Sequence, residues 1–296
     1  MDKKILVKVW CTDDYAEKLD LETLKKNFKF FHPNIDFKVI DSAMTNELKQ
    51  NDPWLSSIWM NAATALPFVE DYDTIVHLDA DIVITGPLDE LFEAEEDAIS
   101  VRNNNSLDLG GSCGKPNGHN PFNPQGCLHN ISTIVHFPPY GRGNYISYQK
   151  YVNNGTLAVN RKEFWHDLHE LNKKAAECTP YGFSDEQCTL NQLFHWKKYK
   201  SRIIDPIGSK LSYGPSNTWG ANPSYIWNSW GLMYMQDNKL MINDPKTHEP
   251  TVVKILHQTN GEAGEYFAKQ AGGFKKWVKS IVNPEVGEYL ESINAV

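Results

Sequence analysis

Tyr72-Asp-Thr-Ile-Val-His-Leu-Asp-Ala-Asp-Ile-Val-Ile-Thr-Gly-Pro-Leu-Asp-Glu-Leu-Phe92 is the stretch from which the fold of this chain is read. Its first part, Tyr72 to Leu78, has the length and apolar content of a buried strand, and it ends on Asp79-Ala80-Asp81. Side chains along extended backbone repeat with period two, so two carboxylates separated by one small residue point the same way. Side by side they repel, and one would tend to take up a proton. A divalent cation removes that conflict. Carboxylate oxygens suit the hard ions Mg²⁺ and Mn²⁺, which in turn bind diphosphate oxygens and screen the charge of a departing nucleotide. Taken alone, the same two residues would also serve as caps for the turn near Gly86-Pro87, and a three-residue motif does not decide between these readings.

Working outward, the first hundred residues alternate strand-length apolar runs with helical periodicity, the pattern of a mixed, mostly parallel sheet flanked by helices. Ile5 to Trp10 reads as the first strand. Leu19, Leu24 and Phe28 suggest a helix stopped at His32-Pro33, and Phe37 to Ile40 is a second strand. A further helix is expected after Pro53, carrying Trp54, Leu55, Ile58, Trp59 and Ala62 inward. Residues 103–145 are crowded with Asn, Gly and Pro and hold few apolar runs, and a structureless stretch of that length is usually functional or mobile. Order resumes at Gly155 to Asn160, a strand. The helix after it places Phe164, Trp165, Leu168 and Leu171 at helical spacing, with Asn160 and Glu163 fitting a capping arrangement. Val252 to Leu256 reads as a late buried strand, and the tail from Tyr266 as helical.

The chain has 296 residues, enough for about two domains or one large α/β unit with a core of its own. Its content of 41% hydrophobic and 22% charged residues argues against disorder and against a coiled coil. With 29 basic and 37 acidic side chains the formal charge is −8, so the overall field does not favour nucleic acid, and no nucleic-acid partner is expected. No apolar window is long enough to span a membrane and the N-terminus lacks a signal-like core, from which a cytoplasmic location is expected. Five cysteines, none in a Cys-x-x-Cys pair, fit free thiols in a reducing compartment. Sequons at Asn104, Asn130 and Asn154 then carry little weight.

The Asp-x-Asp stretch does not stand alone. Together with its lead-in Leu66-Pro-Phe-Val-Glu-Asp-Tyr-Asp-Thr-Ile75 and its follow-on Gly86-Pro-Leu-Asp-Glu-Leu-Phe92, it resembles the core of nucleotide-sugar-dependent glycosyltransferases of the GT-A (Rossmann-like) fold, and most closely glycosyltransferase family 8. Four further segments resemble that family in its order. Trp10-Cys-Thr-Asp-Asp-Tyr15 is similar to its first strand and uridine-contacting loop, Tyr151 to Asn160 to its "Phe-Asn-x-Gly" strand, Ser184-Asp-Glu-Gln-Cys-Thr-Leu-Asn191 to its "Asp-Gln-x-x-Leu-Asn" helix start, and Lys254 to Gly261 to the late strand with a metal-binding histidine.

The resemblance implies Asp79, Asp81 and His257 as ligands of Mn²⁺ or Mg²⁺, and Cys11, Thr12, Asp13, Tyr15, Asp79 and Ala80 around the nucleotide, with Tyr15 against the base. Asn153, Asn154, Gly155 and Gly261 would hold the donor sugar, the neutral amides donating and accepting without disturbing the charge at the metal. Asn-Asn-Gly before an apolar run is also ordinary turn chemistry. Asp185, Glu186 and Gln187 are the candidates for the catalytic segment, although Ser184 and Gln187 would equally form a capping box. Either Asp185 or Glu186 could face the anomeric carbon, and spacing leaves that open. Two departures stand out: Trp54 to Leu66 lacks the Arg that the family offers to the donor, and the Gly-x-x-Lys-Pro-Trp that follows its histidine reads Gly261-Glu-Ala-Gly-Glu here.

The expectation is one continuous domain over 1–296: a nucleotide-binding half (1–102), an acceptor half (103–262) with the long loop 103–150, and a helical tail (263–296). The implied reaction moves a hexose from a nucleoside diphosphate sugar, UDP-glucose or UDP-galactose foremost, to a hydroxyl of a glycan, lipid-linked sugar or protein, with retention if the family's stereochemistry carries over. A metal-dependent phosphohydrolase and a sugar-nucleotide-binding module without catalysis are the alternatives. Tyr213, Trp219, Tyr225, Trp227, Trp230 and Tyr234 would form an acceptor platform or simply core. In the tail, Phe267, Phe274, Trp277 and Ile281 alternate with lysines, so a membrane contact is open, although Gly272-Gly273 favours a helix packed on the domain.

Overall fold

The computed structural model describes residues 3–11, 19–56, 59–102, 152–178, 186–194, 198–204, 233–243, 250–257, 276 and 282–296. In chain order these form β1 (Ile5–Trp10), α1 (Leu21–Phe31), β2 (Asp36–Ile40), α2 (Ser42–Asn51), the single turn α3 (Met60–Ala63), β3 (Thr74–Leu78), β4 (Ile82–Ile84), the turn α4 (Asp89–Phe92) and β5 (Ala98–Arg102). There follow β6 (Val152–Val159), α5 (Lys162–Cys178), α6 (Glu186–Phe194), β7 (Ser201–Ile204), β8 (Tyr234–Gln236), β9 (Lys239–Asn243), β10 (Pro250–Val252), β11 (Ile255–His257) and α7 (Pro284–Ser292). The mixed α/β class expected from the alternating pattern is present.

The central sheet has six strands in the order β2-β1-β3-β6-β5-β7. β1 and β3 run parallel, Ile5 opposite Thr74 through Val9 opposite Leu78, and β6 is antiparallel to both β3 and β5. β3 is buried along its whole length, Thr74 and His77 included, which is why it does not alternate apolar with exposed polar residues. Smaller sheets pair β10-β9-β8 and β11-β4.

The chain divides into two compact units, 1–15, 38–79 and 91–203 in the first, 16–37, 80–90 and 204–296 in the second. In the first, α5 and α6 pack on one another and on β6. Phe164, Trp165, Leu168 and Leu171 of α5 meet Leu190 and Leu193 of α6 in its main core, as the helical spacing predicts. In the second unit, Val83, Leu240 and Leu256 close against Val286, Leu290 and Ile293 of the C-terminal segment.

Local chemistry sets the helix ends. Asp20 accepts the Thr23 N–H at the start of α1, and the His32 N–H closes its end on Phe28 O. Three expectations are corrected. The helix expected after Pro53 is, among the described residues, only the single turn α3, and α2 before Pro53 was not expected: Asp41, its N-cap, accepts the Met44 N–H, and it ends where Pro53 disfavours helical backbone at Asp52. Among its described residues only Thr45 is buried, so no apolar stripe announces it. Leu55, Trp59 and Ala62 do reach the core, but from turns and from α3, while Ile58 lies outside the described residues. Asn160 does not cap α5; its amide bonds Lys3 Nζ, Thr74 Oγ1 and the carbonyls of Ala94 and Glu96, tying the end of β6 to neighbouring chain. The late strand is broken at Val253 and Lys254, one part joining β9 and the other β4. The loop 103–150, the platform aromatics before Tyr234 and the tail aromatics fall outside the described residues. No helix among the described residues is long and apolar enough to cross a membrane.

Candidate active site

Because β1 and β3 are parallel and in register, Cys11 and Asp79 leave the sheet together at the carboxyl ends of neighbouring strands. Open α/β sheets bind their ligands at that edge. The Asp79 N–H donates to Gly155 O at 2.8 Å, which brings the Asp-x-Asp strand end against the β6 segment expected to hold the donor sugar. The Asp79 carboxylate is 32% exposed, with Oδ1 3.7 Å from His77 Nε2. Ala80 is buried, and Asp81, half-buried, leads into β4. β4 pairs with β11 so that Ile82 faces His257, placing the backbone of the expected histidine ligand beside the residue that follows Asp81. Asn154 is half-buried within β6. Thr12, Asp13, Tyr15, Asp185 and Gly261 lie outside the described residues, as do the side chains of Asn153, Gln187 and His257.

Glu186 is the member of the catalytic segment whose surroundings are fully drawn. It is 2% exposed, with Oε2 accepting the Asn61 N–H and Oε1 accepting the Ala62 N–H and Asn172 Nδ2, each at 2.7 Å. The carboxylate therefore closes the open N–H groups of the turn at α3, while Asn172 is itself bonded by Thr189. Burial pushes the Glu186 carboxyl up, opposed by those three donors and by the Lys8 ammonium.

Lys8 and His77 were not singled out in the sequence. The signal was there: a basic residue interrupting the first apolar strand and an imidazole inside the third. Lys8 is wholly buried and donates to Thr64 Oγ1 at 3.0 Å, lies 3.3 Å from His77 Nδ1, and stands over the Trp165 ring at 5.6 Å. Burial pushes its ammonium down to about 7, while Glu186 and Asp79 pull the other way. Burial and Lys8 hold the His77 imidazole down to about 4, against the pull of Asp79, so it is neutral at pH 7.

Two carboxylates and an imidazole are a donor set whose chemistry suits Mn²⁺ or Mg²⁺. Among the described residues, which exclude the His257 side chain, no group of three His, Cys, Asp or Glu is close enough to hold a metal.

No curated protein matches the chain. Several solved structures are similar at low identity. The galactosyltransferase LgtC, solved with donor and acceptor sugar analogues, is 15% identical over 97% of this chain and 99% of its own, with a TM-score of 0.46. Mouse xyloside xylosyltransferase 1 is 13% identical over 89% and 99%, with a TM-score of 0.43. A glycosyltransferase involved in glycosylation of the major capsid of PBCV-1 is 12% identical over 88% and 98%, with a TM-score of 0.42. The sequence profile of glycosyl transferase family 8 matches residues 1–198, which include both the Asp-x-Asp strand and the Glu186 helix. The chain belongs to glycosyltransferase family 8 and is a glycosyltransferase.

Proposed function

We propose that this glycosyltransferase moves a hexose from UDP-glucose or UDP-galactose to a hydroxyl of a glycan, lipid-linked sugar or protein, using Mn²⁺ or Mg²⁺ held by Asp79, Asp81 and His257. The observation that carries this reading is the strand pairing: Asp79 closes β3 beside Gly155, and Ile82 is paired with His257. When bound, the ion neutralises the diphosphate and stabilises the nucleotide as it leaves. The chain's own residues bind and orient. Cys11, Thr12, Asp13, Tyr15 and Ala80 line the nucleoside, and Asn153, Asn154, Gly155 and Gly261 hold sugar hydroxyls. Asp185 and Gln187 flank the anomeric carbon, and Glu186, occupied by backbone donors, fixes the start of the helix that presents them. Retention of configuration follows the family. Residues 1–102 serve as the nucleotide half and 103–262 as the acceptor half.

Incubation with Mn²⁺ and a panel of nucleotide sugars tests the reading. Slow release of UDP from one donor is expected, accelerated by the right acceptor. Phosphate release from simple phosphomonoesters without donor turnover would sink it, and binding without turnover when acceptors are supplied would leave a binding module. Asp81→Asn is expected to remove Mn²⁺-dependent UDP binding, read by calorimetry, while far-UV circular dichroism stays unchanged.

A further inference from the structure

We propose that Lys8 and His77 are positioning residues for the Asp79 carboxylate: Lys8 fixes the imidazole in the tautomer whose Nε2–H faces Asp79 Oδ1, and that N–H sets the direction in which the other carboxylate oxygen is presented to the ion. The inference rests on the reading that Asp79 is a metal ligand.

The direction of each hydrogen bond follows from the groups present. Thr64 Oγ1 lies 2.7 Å from Met60 O, a pure acceptor, so the hydroxyl proton goes there and its lone pairs face Lys8 Nζ. In its ammonium form Lys8 has three donors and no acceptor, so in that form it can only donate toward His77, and Nδ1 receives. A neutral imidazole whose Nδ1 accepts carries its proton on Nε2. That nitrogen faces the half-exposed Asp79 carboxylate, with Oδ1 at 3.7 Å, longer than a hydrogen bond and within ion-pair range. The Asp79 backbone cannot supply the same control, because its N–H is already given to Gly155 O.

Burial separates this role from substrate contact. Lys8 is 0% and His77 1% exposed, so neither touches a sugar or a nucleotide, and both act through Asp79. The neighbours of Lys8 on β1 are Leu6, Val7 and Val9, all buried and apolar. An apolar residue would fill such a position at no electrostatic cost; the charges Lys8 meets instead are Glu186 first and Asp79 second, and His77 touches both Lys8 and Asp79. Thr64 belongs to the 54–66 segment that lacks a basic residue, and the ammonium it meets comes from β1.

Residues that orient a metal ligand in this way change metal affinity by about 10- to 100-fold when replaced. Mn²⁺ alone is the probe, with the free ion counted by electron paramagnetic resonance in titrations of the full chain. Wild type binds, Asp79→Asn does not, and His77→Phe and Lys8→Met bind about 10- to 100-fold more weakly, with His77→Gln, which keeps an N–H at the same reach, recovering most of the loss. Purely structural damage would not be rescued by glutamine. If Asp79→Asn abolishes binding while His77→Phe and Lys8→Met bind as wild type, the positioning role is overturned and the metal site stands. If Asp79→Asn binds as wild type, the ligand assignment itself falls, and the positioning role with it. A measurement independent of any variant's folding is the ¹⁵N spectrum of the wild-type imidazoles at neutral pH: His77 is expected as the Nε2–H tautomer, and the Nδ1–H tautomer would overturn the inference.

Discussion

A carboxylate that accepts three N–H bonds in a site closed to water has been committed to structure. Glu186 does this for Asn61, Ala62 and Asn172, so its replacement reads as a folding defect before it reads as a catalytic one. In Glu186→Gln an amide NH₂ must face a backbone N–H, and we expect about 2–4 kcal/mol of lost stability in urea unfolding, with nucleotide affinity of the folded fraction little changed. Asp185→Asn is the informative partner: stability near wild type and a large fall in turnover would separate the two acids that spacing alone left tied. His32 shows the same logic with a proton. Its Nε2 accepts the Leu88 N–H at 2.9 Å, which requires the neutral ring, and burial lowers its pKa from 6.5, with Asp89 raising it and Lys254 lowering it. A histidine with a depressed folded pKa binds protons more readily when unfolded, so its contribution is intact above about 6.5 and is lost as pH falls below that value. The urea midpoint of wild type should therefore drop on acidification below pH 6.5 more than that of His32→Gln, whose carbonyl can accept the same N–H at any pH. Parallel pH profiles for the two proteins would refute the assignment.

At the scale of elements, β4 is three residues long and gains much of its definition from side chains. Asn27 of α1, 1% exposed, donates to Ile84 O and Ile293 O and accepts the Ile84 N–H, pinning the strand between helix and C-terminal segment. Asn27→Ala removes all three bonds and leaves backbone groups unpaired, for an expected loss of about 2–4 kcal/mol. Amide exchange at Ile84 should accelerate along with it; protection equal to wild type would show that the pin is dispensable. The elements also show what a sequence carries. β1, β3, β6 and α5 were legible because burial on both faces, or on one helical stripe, leaves an apolar pattern. α2 was not, since its start is a side-chain cap and it has almost no buried face. The split of the late strand was equally hidden, because β9 and β4, which take its two parts, are remote in the chain.

Over the whole molecule, the second unit is assembled from three separated pieces of chain, the last of which supplies Val286, Leu290, Ile293 and Ala295 to its core. Tyr289 adds a hydrogen bond from its hydroxyl to Thr85 O at 2.6 Å, just beyond β4. Deletion of residues 283–296 is therefore expected to expose that core: strong binding of a hydrophobic dye, and loss of amide protection in β9 and β11 while β1 and β3 keep theirs. A truncated chain that melts like the full one would contradict this.

The sequence by itself determined the α/β class, the order of the main strands and the Asp-x-Asp motif, because these are written in local periodicity and in contiguous residue types. Tertiary structure alone decided three things: that Gly155 closes on Asp79, that His257 is paired with Ile82, and that Lys8, Thr64 and His77 meet in one buried polar cluster. The physical reason is range. A strand or helix is selected by neighbours a few residues apart, whereas a hydrogen bond between Asn61 and Glu186 spans 125 positions and exists only once the sheet and α5 and α6 have brought its ends together.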